Sequence, residues 1–114
     1  MTREELEKER KRRIIPALRR VSRFWKPKQL ASVLAKNCAS CGVLFTKDEK
    51  KQMDHIEAVV NVKTGFNGWA EYIERMFCNI SGYQALCLSC HKAKTSIERE
   101  LRKKYRAKNK KIKK

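Results

Sequence analysis

The chain has no run of 18 or more apolar residues, so no membrane-crossing helix is expected. It has no apolar stretch near its start either: Thr2 to Arg13 is almost wholly charged, and no secretory leader is expected there. Acidic side chains are scarce, 12 against 29 Lys and Arg, which leaves a formal charge of +17 on 114 residues. Histidines number two, His55 and His91, so imidazole chemistry has two places to be. Cysteines are five, an odd number that disulfide pairing would leave unbalanced.

The charge is unevenly spread. Residues 1–36 carry 12 basic and 4 acidic side chains, residues 99–114 carry 10 and 1, and residues 37–98 carry 7 and 7. A neutral 62-residue centre thus lies between arms of +8 and +9. Basic arms imply a polyanionic partner, because each neutralised phosphate releases condensed counterions. Nucleic acid is the expected partner. An anionic membrane would want a continuous apolar face opposite the basic one, and Arg102 to Lys111 offers almost nothing apolar. No membrane partner is therefore expected.

Four of the cysteines form two knuckles, Cys38-Ala39-Ser40-Cys41 and Cys87-Leu88-Ser89-Cys90, with 45 residues between them. A two-residue spacer lets both thiolates of a knuckle face one tetrahedral ion, and two such pairs make a closed four-thiolate zinc site. Size argues the same way. A centre this short buries roughly 60% of its surface and is marginal without a staple, and structural zinc contributes on the order of 10–16 kcal/mol in small fingers. A thiol-based metal site and the lack of a leader point to a reducing, intracellular home. Cys78 reads as a small core residue on an apolar helix face.

Along the chain, Thr2 with Glu5 reads as a capping box opening a solvated helix from about Arg3 to Arg13. Pro16 suits the first turn of a second helix with Ala17, Leu18, Val21 and Trp25 on one side. Pro27 opens a third, ending near Asn37. Arg19, Arg20, Arg23, Lys26 and Lys28, interleaved with Phe24 and Trp25, read as phosphate contacts around a packed Trp25. Lys51 to Val60 reads as a strand, 61–68 as a loop, and Trp69 to Phe77 as a core-facing amphipathic helix. Ser81-Gly82 turns the chain, and a last helix starts near Cys90 and runs to Arg106 or beyond.

His55 follows Asp54 directly, and His91 follows the second knuckle in Cys87-Leu88-Ser89-Cys90-His91-Lys92-Ala93-Lys94-Thr95, with Glu98 after it. On these residues, about 37–98 of the chain resembles the HNH endonucleases of the phage type. The resemblance implies an α+β fold: a small ββα-metal core (37–98) stapled by a four-cysteine zinc site, a basic helical N-terminal extension (1–36) and a basic C-terminal helix and tail (99–114). It implies that Cys38, Cys41, Cys87 and Cys90 bind structural zinc, and that Asp54 and His91 hold a catalytic Mg²⁺ or Mn²⁺. His55 would be the general base, and Lys94 would join Arg102 and Lys103 on DNA phosphates. The implied activity is hydrolysis of phosphodiester bonds in double-stranded DNA, in a bacteriophage protein acting in the host cytoplasm, with other phage proteins as further partners. Successive strand side chains alternate, so Asp54 and His55 serve one site only on a twist or bend. The chain departs from the family at Gly82, where the family carries its central Asn, and Asn79 or Gln84 is the expected substitute in orienting His55. The competing reading is a non-catalytic zinc-ribbon module that binds nucleic acid as a regulator, in which Asp54 and His55 have no role. A packaging-associated viral protein is a third.

Overall fold

Thr2 caps the first helix, α1 (Arg3–Ser22), through its hydroxyl, which accepts the Glu5 N–H at 3.1 Å. Glu4 and Glu5 in the first turn and Arg19 and Arg20 in the last complement the helix dipole. In this computed structural model, which describes residues 1–112 and the side chains of 1–110, the expected break at Pro16 does not occur. Proline's fixed φ is already helical, so the cost is one missing N–H bond and local crowding. The turn just before it is clamped: Glu9 accepts from Arg12 at 2.7 and 3.2 Å and from Arg13 at 2.9 Å. Nor does α1 stand free in solvent as expected. The Trp69 indole N–H donates to Glu7 at 2.9 Å, and the Lys11 ammonium lies 4.4 Å from the centre of the Phe66 ring.

Pro27 sits in the first turn of α2 (Lys26–Leu34), which buries Ala31 and packs on the second strand. Before it, Trp25 is half-buried, donating its indole N–H to the Cys78 carbonyl at 2.7 Å with its ring edge-on to Phe77. Phe24 is 78% exposed. Of the two adjacent aromatics, only Trp25 belongs to the core.

The sheet has two antiparallel strands, β1 (Gln52–His55) and β2 (Tyr83–Leu86), with Gln52 opposite Leu86 and His55 opposite Tyr83. The strand expected to reach Val60 ends at His55 because its partner runs out. The Ile56 N–H still reaches the Gly82 carbonyl at 2.9 Å, but before Tyr83 the chain is a single 3₁₀ turn, Ile80–Gly82. Arginines then take over the backbone: Arg75 donates to the Ala58 carbonyl at 2.9 Å and Arg102 to that of Val60 at 3.0 Å. Asn61 closes the next turn by accepting the N–H groups of Lys63 and Thr64. The amphipathic stretch forms α3 (Trp69–Met76), burying Tyr72 and Met76.

The last helix, α4, spans Leu88–Ile112. At 1.5 Å per residue it is about 37 Å long, which accounts for most of the 50 Å long dimension of the molecule. Lys113 and Lys114, the end of the expected lysine tail, lie outside the described residues. The core is thin. One part is Cys38, Leu86 and Cys87 with Phe45 and Cys90 against them, so cysteines form much of what is buried there. The order β1, β2, α4 makes an α+β fold with a small antiparallel sheet against a helix.

Candidate functional site

The knuckles meet because the chain around Cys38 is tied to both sheet and turn. The Cys38 N–H donates to the Val43 carbonyl, and the Ala39 N–H reaches the Ala85 carbonyl, both at 2.9 Å. The second knuckle leaves β2 and enters α4, with the His91 N–H on the Cys87 carbonyl at 2.9 Å. The sulfurs of Cys38, Cys41, Cys87 and Cys90 all lie within 4.8 Å of one another, and those of Cys41 and Cys87 are 3.8 Å apart. A tetrahedron of thiolates with metal–sulfur bonds of about 2.3 Å has edges of about 3.8 Å. The four sulfurs are positioned to hold a metal ion.

Electrostatics sharpen the point. The Cys41 backbone N–H, outweighing burial and aided by the Cys87 N–H, holds the Cys38 thiol at about 6. The Cys87 sulfur beside it pushes Cys90 up to about 12. Four clustered sulfurs share protons unevenly because they cannot all ionise alone, and a bound cation removes that conflict.

Asp54 and His55 are neighbours on β1 and diverge. Asp54 is paired with Gln84 and His55 with Tyr83, and the two pairs lie on opposite faces of the sheet. No bend turns both side chains to one side, contrary to the sequence expectation. The Asp54 carboxylate faces α4, where its Oδ2 accepts from the Lys94 ammonium, and also from Gln84 at 3.0 Å. His55 lies against Tyr83, ring centres 4.9 Å apart, and its Nε2 is 2.9 Å from the Met76 carbonyl. A carbonyl only accepts, so Nε2 carries a proton, and Nδ1 has no hydrogen-bond partner among the described residues. The buried Tyr83 hydroxyl donates to the same carbonyl at 3.0 Å. Burial first, then Cys78, raises the Tyr83 phenol well above its ordinary range, keeping it a donor.

The Met76 carbonyl thus takes the orienting role expected of Asn79 or Gln84. Asn79 instead caps the 3₁₀ turn, accepting the Ile80 N–H at 2.8 Å, and Gln84 serves Asp54. Sequence reasoning missed this because a main-chain carbonyl at a helix end carries no residue signature. Nothing in the sequence marks Tyr83 as His55's neighbour. Gly82 has its own reason: a Cβ there would fall 2.5 Å from the Cys78 sulfur.

His91 sits in the first turn of α4, half-buried, with its carbonyl accepting the Thr95 hydroxyl at 2.9 Å. It is one turn ahead of Lys94, whose ammonium is engaged with Asp54 rather than free for a ligand. Arg19, Arg20, Arg23 and Lys26 are exposed where α1 meets α2. Lys28 is half-buried there, its ammonium lowered by burial and then by Arg23, so an approaching anion would relieve it. Arg102 holds the Val60 carbonyl and lies 3.8 Å from Glu98, and Lys103 faces Glu100 at 3.6 Å on the open surface.

Comparison of the chain with protein-family models, with curated proteins and with solved structures finds no match. No helix among the described residues is long and apolar enough to cross a membrane.

Proposed function

We propose that the chain is a divalent-metal-dependent endonuclease of the HNH type, hydrolysing phosphodiester bonds in double-stranded DNA on a frame held by structural zinc. The observation that carries this reading is His55. Its ring is pinned through Nε2 to the Met76 carbonyl, which leaves Nδ1 as the proton acceptor, one residue along β1 from Asp54, whose carboxylate faces α4. Zinc is the ion that best suits four thiols gathered within 4.8 Å of one another, one pair of them 3.8 Å apart.

In this reading Asp54 and His91 hold Mg²⁺ or Mn²⁺, which would supply Lewis-acid stabilisation of charge on the phosphate and leaving oxygen. Nδ1 of His55 takes the proton from the attacking water, and the Met76 carbonyl and Tyr83 hold the ring against rotation as charge develops on it. The basic residues at the α1–α2 corner and along α4 grip the DNA backbone without reading bases. A phage origin and action in the host cytoplasm belong to the same proposal.

The test is cleavage of supercoiled plasmid with Mg²⁺ or Mn²⁺. His55→Ala should lower the rate by about 10²–10⁴-fold while leaving DNA binding nearly intact, because a general base acts in the transition state. A variant that cuts at the wild-type rate, in a preparation free of contaminating nuclease, overturns the assignment. One observation favours a second reading, a non-catalytic zinc-ribbon binding module: Asp54 is already satisfied by Lys94 and Gln84. That module would bind DNA and never cut it.

A further inference from the structure

Lys94 is a crowded cation. Around its Nζ stand four oxygens: Asp54 Oδ2, the His55 carbonyl at 2.7 Å, the Ile56 carbonyl at 3.5 Å and Glu98 Oε1 at 3.5 Å. An ammonium has three protons to give, so this is more acceptor than it can use well. Carboxylate and carbonyl oxygens of this kind are the donors that hard divalent cations take. The side chains are largely shielded, with Lys94 25%, Asp54 16% and Glu98 22% exposed.

Resting on the nuclease reading, we propose that Lys94 is the resident cation of the Asp54 site, and that a divalent ion enters by displacing it. The ammonium and the ion compete for the same Oδ2, and like charges at that separation repel. Lys94 has somewhere to go. Beside it lies a cavity of about 450 Å³ between α4 and β2, lined by Gln84, Ile97 and Glu98 among others. Glu98, one turn further along the helix, is already within 3.5 Å and receives the ammonium as it leaves Asp54. Released from the carboxylate, Lys94 becomes available to a phosphate. The arrangement keeps Asp54 neutralised in the metal-free protein, so the half-buried carboxylate is never left alone. It also lowers the apparent affinity for the ion, since binding sees only the fraction of molecules in which Lys94 has moved.

The experiment is Mn²⁺ titration of the full-length, zinc-loaded protein by calorimetry and by the electron paramagnetic resonance of free Mn²⁺, without DNA. Lys94→Met keeps the aliphatic stem and removes the charge. It should bind Mn²⁺ about tenfold more tightly than wild type, as expected if the site is open about a tenth of the time. Without Mn²⁺ it should melt lower than wild type, and added Mn²⁺ should raise its melting temperature more than that of wild type. Asp54→Asn should remove the binding in both backgrounds. If Lys94→Met binds Mn²⁺ no more tightly than wild type while Asp54→Asn still abolishes binding, the displacement idea is overturned and the metal site survives. If neither wild type nor Lys94→Met binds Mn²⁺, or if Asp54→Asn leaves binding unchanged, the metal role of Asp54 falls and the displacement idea with it.

Discussion

The bond from His55 to the Met76 carbonyl depends on how closely the end of α3 approaches the start of β2, and Gly82 sets that approach. The backbone at Gly82 lies so near Cys78 that a β-carbon would be 2.5 Å from the sulfur and 3.1 Å from the Cys78 β-carbon. Gly82 is not in a left-handed conformation, so the requirement is space and not φ. Gly82→Asn, which would restore the residue usual in the resembled family, is therefore expected to destabilise the protein. Overpacking of this kind costs typically about 1–3 kcal/mol. Gly82→Ala isolates the steric part, and urea unfolding should show a lower midpoint with an unchanged slope. Cys78→Ala in the same chain removes the sulfur and should recover part of the loss. An unchanged midpoint for Gly82→Ala would mean that the turn yields easily.

Helices α2, α3 and α4 follow from the pattern of the sequence: proline in a first turn, apolar residues three and four apart, and a knuckle that opens a helix. The strand was legible in place but not in length, because strand length is set by the partner, and β2 begins only at Tyr83. The docking of α1 was not legible. Its links to the core run through Glu7 and Lys11, charged residues that a hydrophobic pattern assigns to solvent. Pro16 misleads for a related reason: it marks the first turn of a helix in general, but here it interrupts a helix whose two halves are both held, by Glu9 on one side and Ser22 on the other. Its missing N–H leaves the Arg12 carbonyl without a helical donor. Because Pro16 is exposed and inside the helix, Pro16→Ala should stabilise the protein by up to about 3 kcal/mol, the helix-interior penalty of proline. Thermal melting followed by circular dichroism measures it, and a drop in melting temperature would show that α1 needs its local crowding at that point.

At the scale of the whole molecule, two features legible in the sequence govern behaviour: four sulfurs that complete a thin core, and charge at both ends of the chain. Cys38 and Cys87 are buried beside Leu86, so Cys87→Ser, or a strong chelator, should unfold the centre, read as loss of far-ultraviolet signal together with loss of one zinc per chain. The charge has a different readout. Residues 103–114 carry eight Lys and Arg and no acidic residue, and those with described side chains lie along α4. Truncating the chain at Arg102 would also remove the Asn109 bond to the Lys63 carbonyl, so truncation confounds charge with packing. Replacing Lys108 and Lys110 with Gln avoids that, because both are exposed and neither has an ion-pair partner among the described residues. Each phosphate that is no longer neutralised should reduce the slope of log affinity against log salt by about 0.9 on duplex DNA. If both lysines sit on phosphates, the double replacement lowers the slope by about 1.8. The weakening should be uniform across DNA sequences, since groups on phosphates position the protein and do not specify bases. Binding of a mixed-sequence duplex, measured by fluorescence anisotropy across a salt series, gives the slope directly. A weaker complex with an unchanged slope would mean that these lysines act through the fold, and an unchanged complex would move the electrostatic grip to Arg19, Arg20 and Arg23 at the other end.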